Sequence, residues 1–236
     1  MKAILVHGMG RTRASQLLLA VRLQRAGLGT HTFGYAARAS FRSTVSRLVS
    51  RVQYVASGHP YVLVGHSLGC VLIRAALPAL APHPPSACFL LAPPSRACRA
   101  ARHFSRQRVF RLLTGEVGQL LASEEFMSSL PVPDVPTRIY AGTAGPRGGL
   151  SPFGDELNDG ILAVSETELP GIPAVPVRAL HTFIMNARVV ADDIVRNTLH
   201  PPAASGGDAR GDVAEARERA ALRRSRDRPV PAPPFE

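Results

Sequence analysis

The sequence predicts an α/β protein: a compact, mostly parallel sheet of about six strands flanked by helices, followed by a disordered C-terminal tail. Three observations carry that expectation. Short apolar runs alternate with helix-period patterns along residues 1–200, as in parallel strands joined by crossover helices. A Gly-x-Ser-x-Gly pentapeptide stands between one such run and a helical pattern. From Pro201 the composition turns to Pro, Ala, Gly and charged residues, with no apolar stripe left to dock.

Strands are expected at residues 2–7, 30–34, 61–65, 87–91, 137–141 and 175–180. Between the second and third, Phe41, Val45, Leu48, Val52 and Val55 are spaced by four, three, four and three, so one helix face carries all five and packs on the sheet. After the last strand, Ile184, Ala187, Ala191, Ile194 and Thr198 repeat that spacing and predict a closing helix. The resulting organisation is one domain over 1–200, with a small cap-like segment at about 95–130, and a disordered tail over 201–236. No internal repeat is present.

Composition bounds the class. The 236 residues are 45% hydrophobic and 19% charged. A chain of this length buries roughly 70% of its unfolded surface and needs no disulfide or metal staple. Cys70, Cys88 and Cys98 are odd in number and form no CxxC pair, against both a disulfide framework and a zinc site. The opening apolar run is too short for a signal-peptide core or a membrane span, so a soluble cytoplasmic protein is expected. The net charge of +11 comes from 28 basic against 17 acidic residues, all the basic ones but Lys2 being arginine. Aromatics make up only 6% and do not interleave with the arginines, so no nucleic-acid partner is expected.

The chemistry gathers after the third strand, where Gly65-His66-Ser67-Leu68-Gly69 leads into a helical run. A sharp strand-to-helix turn strains the serine backbone and exposes its hydroxyl, and the two glycines let neighbouring chains approach. Ser67 is therefore the candidate nucleophile, with the helix N-terminus beside it to favour developing negative charge. A serine needs a histidine base and an orienting carboxylate, expected in the chain order Ser, acid, His. His181 fits the base, because it follows the last apolar strand at the sheet edge where α/β proteins build sites.

Asp134 precedes its strand and Asp192 and Asp193 follow the base, which leaves Asp155, Glu156, Asp159, Glu166 and Glu168 as candidate acids. Asp159 is preferred, since Gly160 after it makes a turn that would hold the carboxylate steady, and Asp155 stands second. The oxyanion requires backbone N–H donors from the residue after the serine, Leu68, and from the glycine-bracketed turn after the first strand, at Met9. A dinucleotide fingerprint fails there because Arg13 stands where its third glycine belongs, so no cofactor and no metal are implied. His7 and His66 read as structural neighbours of these turns.

With these residues assembled, the chain resembles the α/β-hydrolase superfamily, and within it small bacterial lipase- and esterase-like serine hydrolases. The resemblance rests on Val6-His7-Gly8-Met9-Gly10, Val64 to Gly69, Leu91-Ala92-Pro93-Pro94, Asn158-Asp159-Gly160 with Val164-Ser165, and His181-Thr182-Phe183. These look like the family's oxyanion loop, elbow, post-strand turn, acid loop and base loop, in order. The resemblance implies a compact α/β-hydrolase fold and cleavage of a small acyl ester through an acyl-enzyme. An acyl thioesterase or acyltransferase is the alternative within the class, and a non-catalytic binding protein on the same fold is the alternative outside it. One departure concerns the cap: residues 95–111 carry six arginines and no acid. This segment reads as a solvated face, with weak contact to anionic lipid or phosphate through residues 96–111 as a second use. Phe104, Phe110, Phe126 and Met127 are candidates to line an acyl pocket or to serve as ordinary core.

Overall fold

The strands β1 (Lys2–Val6), β2 (Gly29–Phe33), β3 (Tyr61–His66), β4 (Ala87–Leu91), β5 (Thr137–Gly142) and β6 (Ala174–Val177) form one sheet in the order β2-β1-β3-β4-β5-β6. Every pairing in it is parallel, so the expected mostly parallel sheet is wholly so among the described residues. The computed structural model describes residues 1–36, 39–97, 99, 116–149 and 151–200. The tail at 201–236, Cys98, Phe104, Phe110 and nearly all of the arginine-rich segment lie outside them. Chain contacts separate Met1–His200 as one unit.

Strand alternation sorts the core into two layers. Ile4, Val6, Leu63, Leu90 and Ile139 point to the side covered by α2 (Phe41–Ala56) and α3 (Leu68–Leu80), where they meet Leu48, Val52 and Ile73. Ala3, Leu5, Val62, Val64, Phe89 and Tyr140 point to the opposite side and meet Leu19 and Leu23 of α1 (Leu17–Arg25) and Ile194 of the C-terminal helix. Burial on both faces is why the central strands read as unbroken apolar runs. The chain leaves β1 for β2 on one side and returns as β3 on the other, so the carboxyl end of β1 is a topological switch point.

Two expected elements are trimmed. The last strand ends at Val177 rather than residue 180; it lies at the sheet edge, where Pro176 can sit because no neighbour needs its missing N–H. The closing helix does not begin at Ile184: a 3-10 turn covers His181–Asn186, Ala187 is extended, and the α-helix runs from Arg188 to Leu199. In the cap-like region, residues 116–122 are helical and α4 spans Glu124–Ser129, with α5 the closing Arg188–Leu199. Met127 is fully buried in the core under α2 and α3, and Phe126 stands edge-on to Phe41 at 5.1 Å, so Met127 is core and no pocket wall. Cys70 and Cys88 are buried free thiols. Among the described residues, no helix is long and apolar enough to cross a membrane and no group of His, Cys, Asp or Glu is placed to hold a metal ion.

Candidate active site

β3 ends at His66, and α3 begins at Leu68, which leaves a single residue to make the turn. Ser67 makes it with φ 51° and ψ −119°, a conformation a side-chain-bearing residue holds only when its surroundings enforce it. They do so on three sides. The Ser67 amide donates to the Leu91 carbonyl at the end of β4 (2.9 Å). A Cβ on Gly69 would lie 2.2 Å from the Val6 carbonyl oxygen, so α3 rests directly on the backbone of β1. A Cβ on Gly65 would lie 2.8 Å from Ile73 and 2.9 Å from the Cys70 amide, so the strand and the helix it feeds are also in backbone contact. Both glycines of the pentapeptide are thus required by close approach.

His181 opens the turn after β6 and is buried. Its Nε2 lies 3.0 Å from Ser67 Oγ, and its Nδ1 lies 2.7 Å from Asp159 Oδ2. Since a carboxylate can only accept, the proton sits on Nδ1, and Nε2 is left to accept from the serine hydroxyl. The other Asp159 oxygen accepts from the amides of Ile161 (2.9 Å) and Leu162 (2.7 Å), and the His181 amide donates to the Asp159 carbonyl (2.9 Å). Gly160, with φ 93°, turns the chain so that both amides reach back to the carboxylate. Asp159 is 1% exposed, and these are its side-chain contacts among the described residues. The structure therefore brings Ser67, His181 and Asp159 together, while Asp155, the second candidate acid, is exposed.

The remaining candidate acids brace the loop. Glu156 accepts from Arg99 (2.9 Å) and from the Ser165 hydroxyl, and the Ser165 hydrogen bond, opposed by partial burial and aided by Arg99, holds its carboxyl below the usual range. Glu166 is buried and accepts from the amides of Ala163 (2.9 Å) and Arg99 (2.7 Å). One arginine of the basic segment is thereby tied to the acid loop. Asn158 adds bonds to the Pro146 and Glu156 carbonyls (2.8 and 3.0 Å) and accepts from Gly160.

The two histidines beside the turns have defined structural partners. His66 Nε2 donates to the His181 carbonyl (2.9 Å), and its Nδ1 has no partner among the described residues. Burial, reinforced by the nearby His181 and only partly offset by that hydrogen bond, pushes its pKa down to about 3, so the ring is neutral. His7 Nδ1 donates to the Gly8 carbonyl (2.9 Å), its Nε2 accepts from the Tyr35 amide, and its ring stacks on Tyr35 at 4.3 Å. Burial lowers its pKa as well. The part His66 plays in holding the His181 backbone carries no sequence signal, because a histidine before an elbow serine is equally consistent with a ring that touches nothing.

The Met9 amide lies in the Gly8–Gly10 turn beyond β1, and Leu68 is the first residue of α3. Neither amide donates to a backbone carbonyl among the described residues. A Cβ on Gly8 would meet His66 Nδ1 at 2.8 Å and Ser67 Cβ at 3.1 Å, so this turn lies directly against the serine.

No protein-family model matches the chain, and no curated protein sequence matches it either. Solved structures do. The mature lipase BlEst2 of Bacillus licheniformis superposes with a TM-score of 0.64 at 17% identity, over 84% of this chain and 91% of that one. The metagenomic carboxyl esterase MGS0156 gives 0.63 at 18% identity, over 85% and 74%. The thioesterase RedJ from prodiginine biosynthesis in Streptomyces coelicolor gives 0.54 at 16% identity, over 84% of each chain. These likenesses establish the fold as that of the α/β hydrolases.

Proposed function

We propose that the protein is a serine hydrolase that cleaves carboxylic esters through an acyl-enzyme. The observation that supports this most is the continuous chain from Ser67 Oγ through His181 to Asp159, with contacts of 3.0 and 2.7 Å. Ser67 attacks the acyl carbon as His181 Nε2 takes its proton, and Asp159 holds the ring in that tautomer and stabilises the imidazolium. The oxyanion forms against the Met9 and Leu68 amides, where the N-terminus of α3 adds its partial positive charge. His181 then passes the proton to the departing oxygen, and water, activated by the same histidine, releases the acid.

A fluorophosphonate probe with hydrolysis of p-nitrophenyl esters of increasing chain length tests the reading. Labelling and turnover are expected in the wild type and absent from a folded Ser67→Ala variant. A folded wild-type protein that takes no label would overturn the assignment and favour a binding role for the fold.

A further inference from the structure

One cluster of charged side chains plays no part in the site described above. Between β2 and α2 runs a groove of about 580 Å³ whose walls include Arg13, Arg47, Arg51, Ser46, Ser50 and Tyr54. We infer that this groove holds the phosphate groups of the acyl substrate's leaving group. The inference rests on the hydrolase reading and names the substrate class of that same site.

Charge comes first. Arg47 and Arg51 lie one turn apart on α2, a mutually repulsive pair on a helix surface. Arg13 reaches the same groove from the turn after β1; a Cβ on Gly34 would lie 2.3 Å from its Nε, so the absence of a side chain there is what lets Arg13 lie across the strand end. Among the described residues no carboxylate pairs with any of the three. The field is felt nearby: besides burial, Arg51 and Lys2 push the pKa of His31 on β2 down. Three guanidiniums around one concavity make a fork-shaped donor set suited to phosphate oxygens. Tyr54 is 76% exposed with the Arg51 guanidinium 5.7 Å from its ring centre, which offers a flat face to a planar ring on the same ligand.

Place comes second. Val6 pairs in register with Phe33 of β2 on one side and with Gly65 of β3 on the other. With strands about 4.8 Å apart, Phe33 is roughly 10 Å from Gly65. Gly34, at one end of the groove, therefore lies at the same carboxyl edge of the sheet as Ser67. A concavity of this size with one exposed aromatic suits a small polyanion better than a nucleic-acid strand, which needs a track of stacking platforms.

Ser67 Oγ bonds to the acyl carbon, the bond from that carbon to the departing sulfur or oxygen breaks, and the departing atom leaves with the proton from His181. Water hydrolyses the acyl-enzyme. Only the departing group carries phosphate.

Two thioesters with the same octanoyl chain test this, one of coenzyme A and one of phosphate-free N-acetylcysteamine. At low ionic strength the wild type is expected to favour the coenzyme A thioester at least tenfold in kcat/KM. R47A/R51A is expected to erase that preference, chiefly through KM, and added salt to weaken it in the wild type. No preference in the wild type, or an equal fall on both thioesters, overturns the inference. Calorimetric titration of Ser67→Ala with coenzyme A reads the groove without turnover: binding lost on adding R47A/R51A supports it, even where fluorophosphonate labelling has failed. Binding of phosphatidylserine vesicles that depends on the arginine pair, with none of coenzyme A, overturns it in favour of a lipid surface.

Discussion

Asp159 shows how much one side chain is asked to do. One carboxylate oxygen accepts from the Ile161 and Leu162 amides, and the other faces His181 Nδ1. In Asp159→Asn the two amides keep the amide oxygen on their side, so the NH2 group points at His181 Nδ1. That nitrogen must then accept, which moves the ring proton to Nε2 and removes the acceptor for the Ser67 hydroxyl. A fall in kcat of about 10³- to 10⁴-fold with unchanged circular dichroism is expected; a loss of less than tenfold would return the role to Asp155 or Glu156. A second residue-scale effect concerns acid stability. His66 binds its proton near pH 6.5 when unfolded but only near pH 3 in the fold, so between these values the unfolded chain holds more protons. The stability tied to a neutral His66 is full above pH 6.5 and is lost progressively as pH falls toward 3, and His7 shifts the same way. Tm measured from pH 7 down to 4 should therefore fall less steeply in His66→Gln than in the wild type; parallel curves would show that another group governs acid unfolding.

At the scale of elements, the decisive contact is α3 against β1. A methyl on Gly69 would drive into the Val6 and His7 carbonyls at 2.2 and 2.8 Å, both rigid backbone atoms. Gly69→Ala should cost at least ~1–3 kcal/mol, a Tm drop of roughly 2–12 °C for a domain this size. It should also lower kcat by on the order of 10²-fold as the Leu68 amide shifts. Gly149→Ala, where a Cβ meets nothing within 4 Å, is the control that should leave both unchanged. The same packing explains what the sequence revealed. β1, β3 and β4 were legible because both their faces are buried, the half-exposed edge strands β2 and β6 because their β-branched residues stand between turn signals, and α2 because its spacing separates Leu48, Val52 and Val55 from an exposed face. α1 was not: Leu17, Leu18 and Leu19 run together, and only packing decides that Leu19 and Leu23 go inward while Leu17 and Leu18 stay exposed. The closing helix starts at Arg188, later than the spacing predicts, because Ile184 and Ala187 fit a 3-10 turn as well as an α-helix. The convergence of Ser67, Asp159 and His181 could be anticipated because each sits at a turn with its own local signature. Glu166 was open to several readings, because its buried bonds to Ala163 and Arg99 depend on segments far apart in sequence.

At the scale of the whole molecule, the charge is unevenly shared. The tail from Pro201 holds seven arginines and six acids, so nearly all of the +11 resides in residues 1–200. A surface with that excess repels itself and attracts polyanions, and both effects weaken as salt screens them. The sheet, both core layers and the Ser67, Asp159 and His181 side chains all lie within Met1–His200. The last core contributions before the tail are Ile194 and Thr198 on α5. A chain ending at His200 is therefore expected to melt within about 2 °C of the full protein, a shift of less than ~1 kcal/mol at this size, and to keep its p-nitrophenyl ester turnover. Its Tm and that of the full chain are both expected to rise with moderate salt, because the repelling charges are retained. A truncated protein that unfolds or loses turnover would mean that the tail supplies packing or a residue to the site, and that the domain does not end with α5.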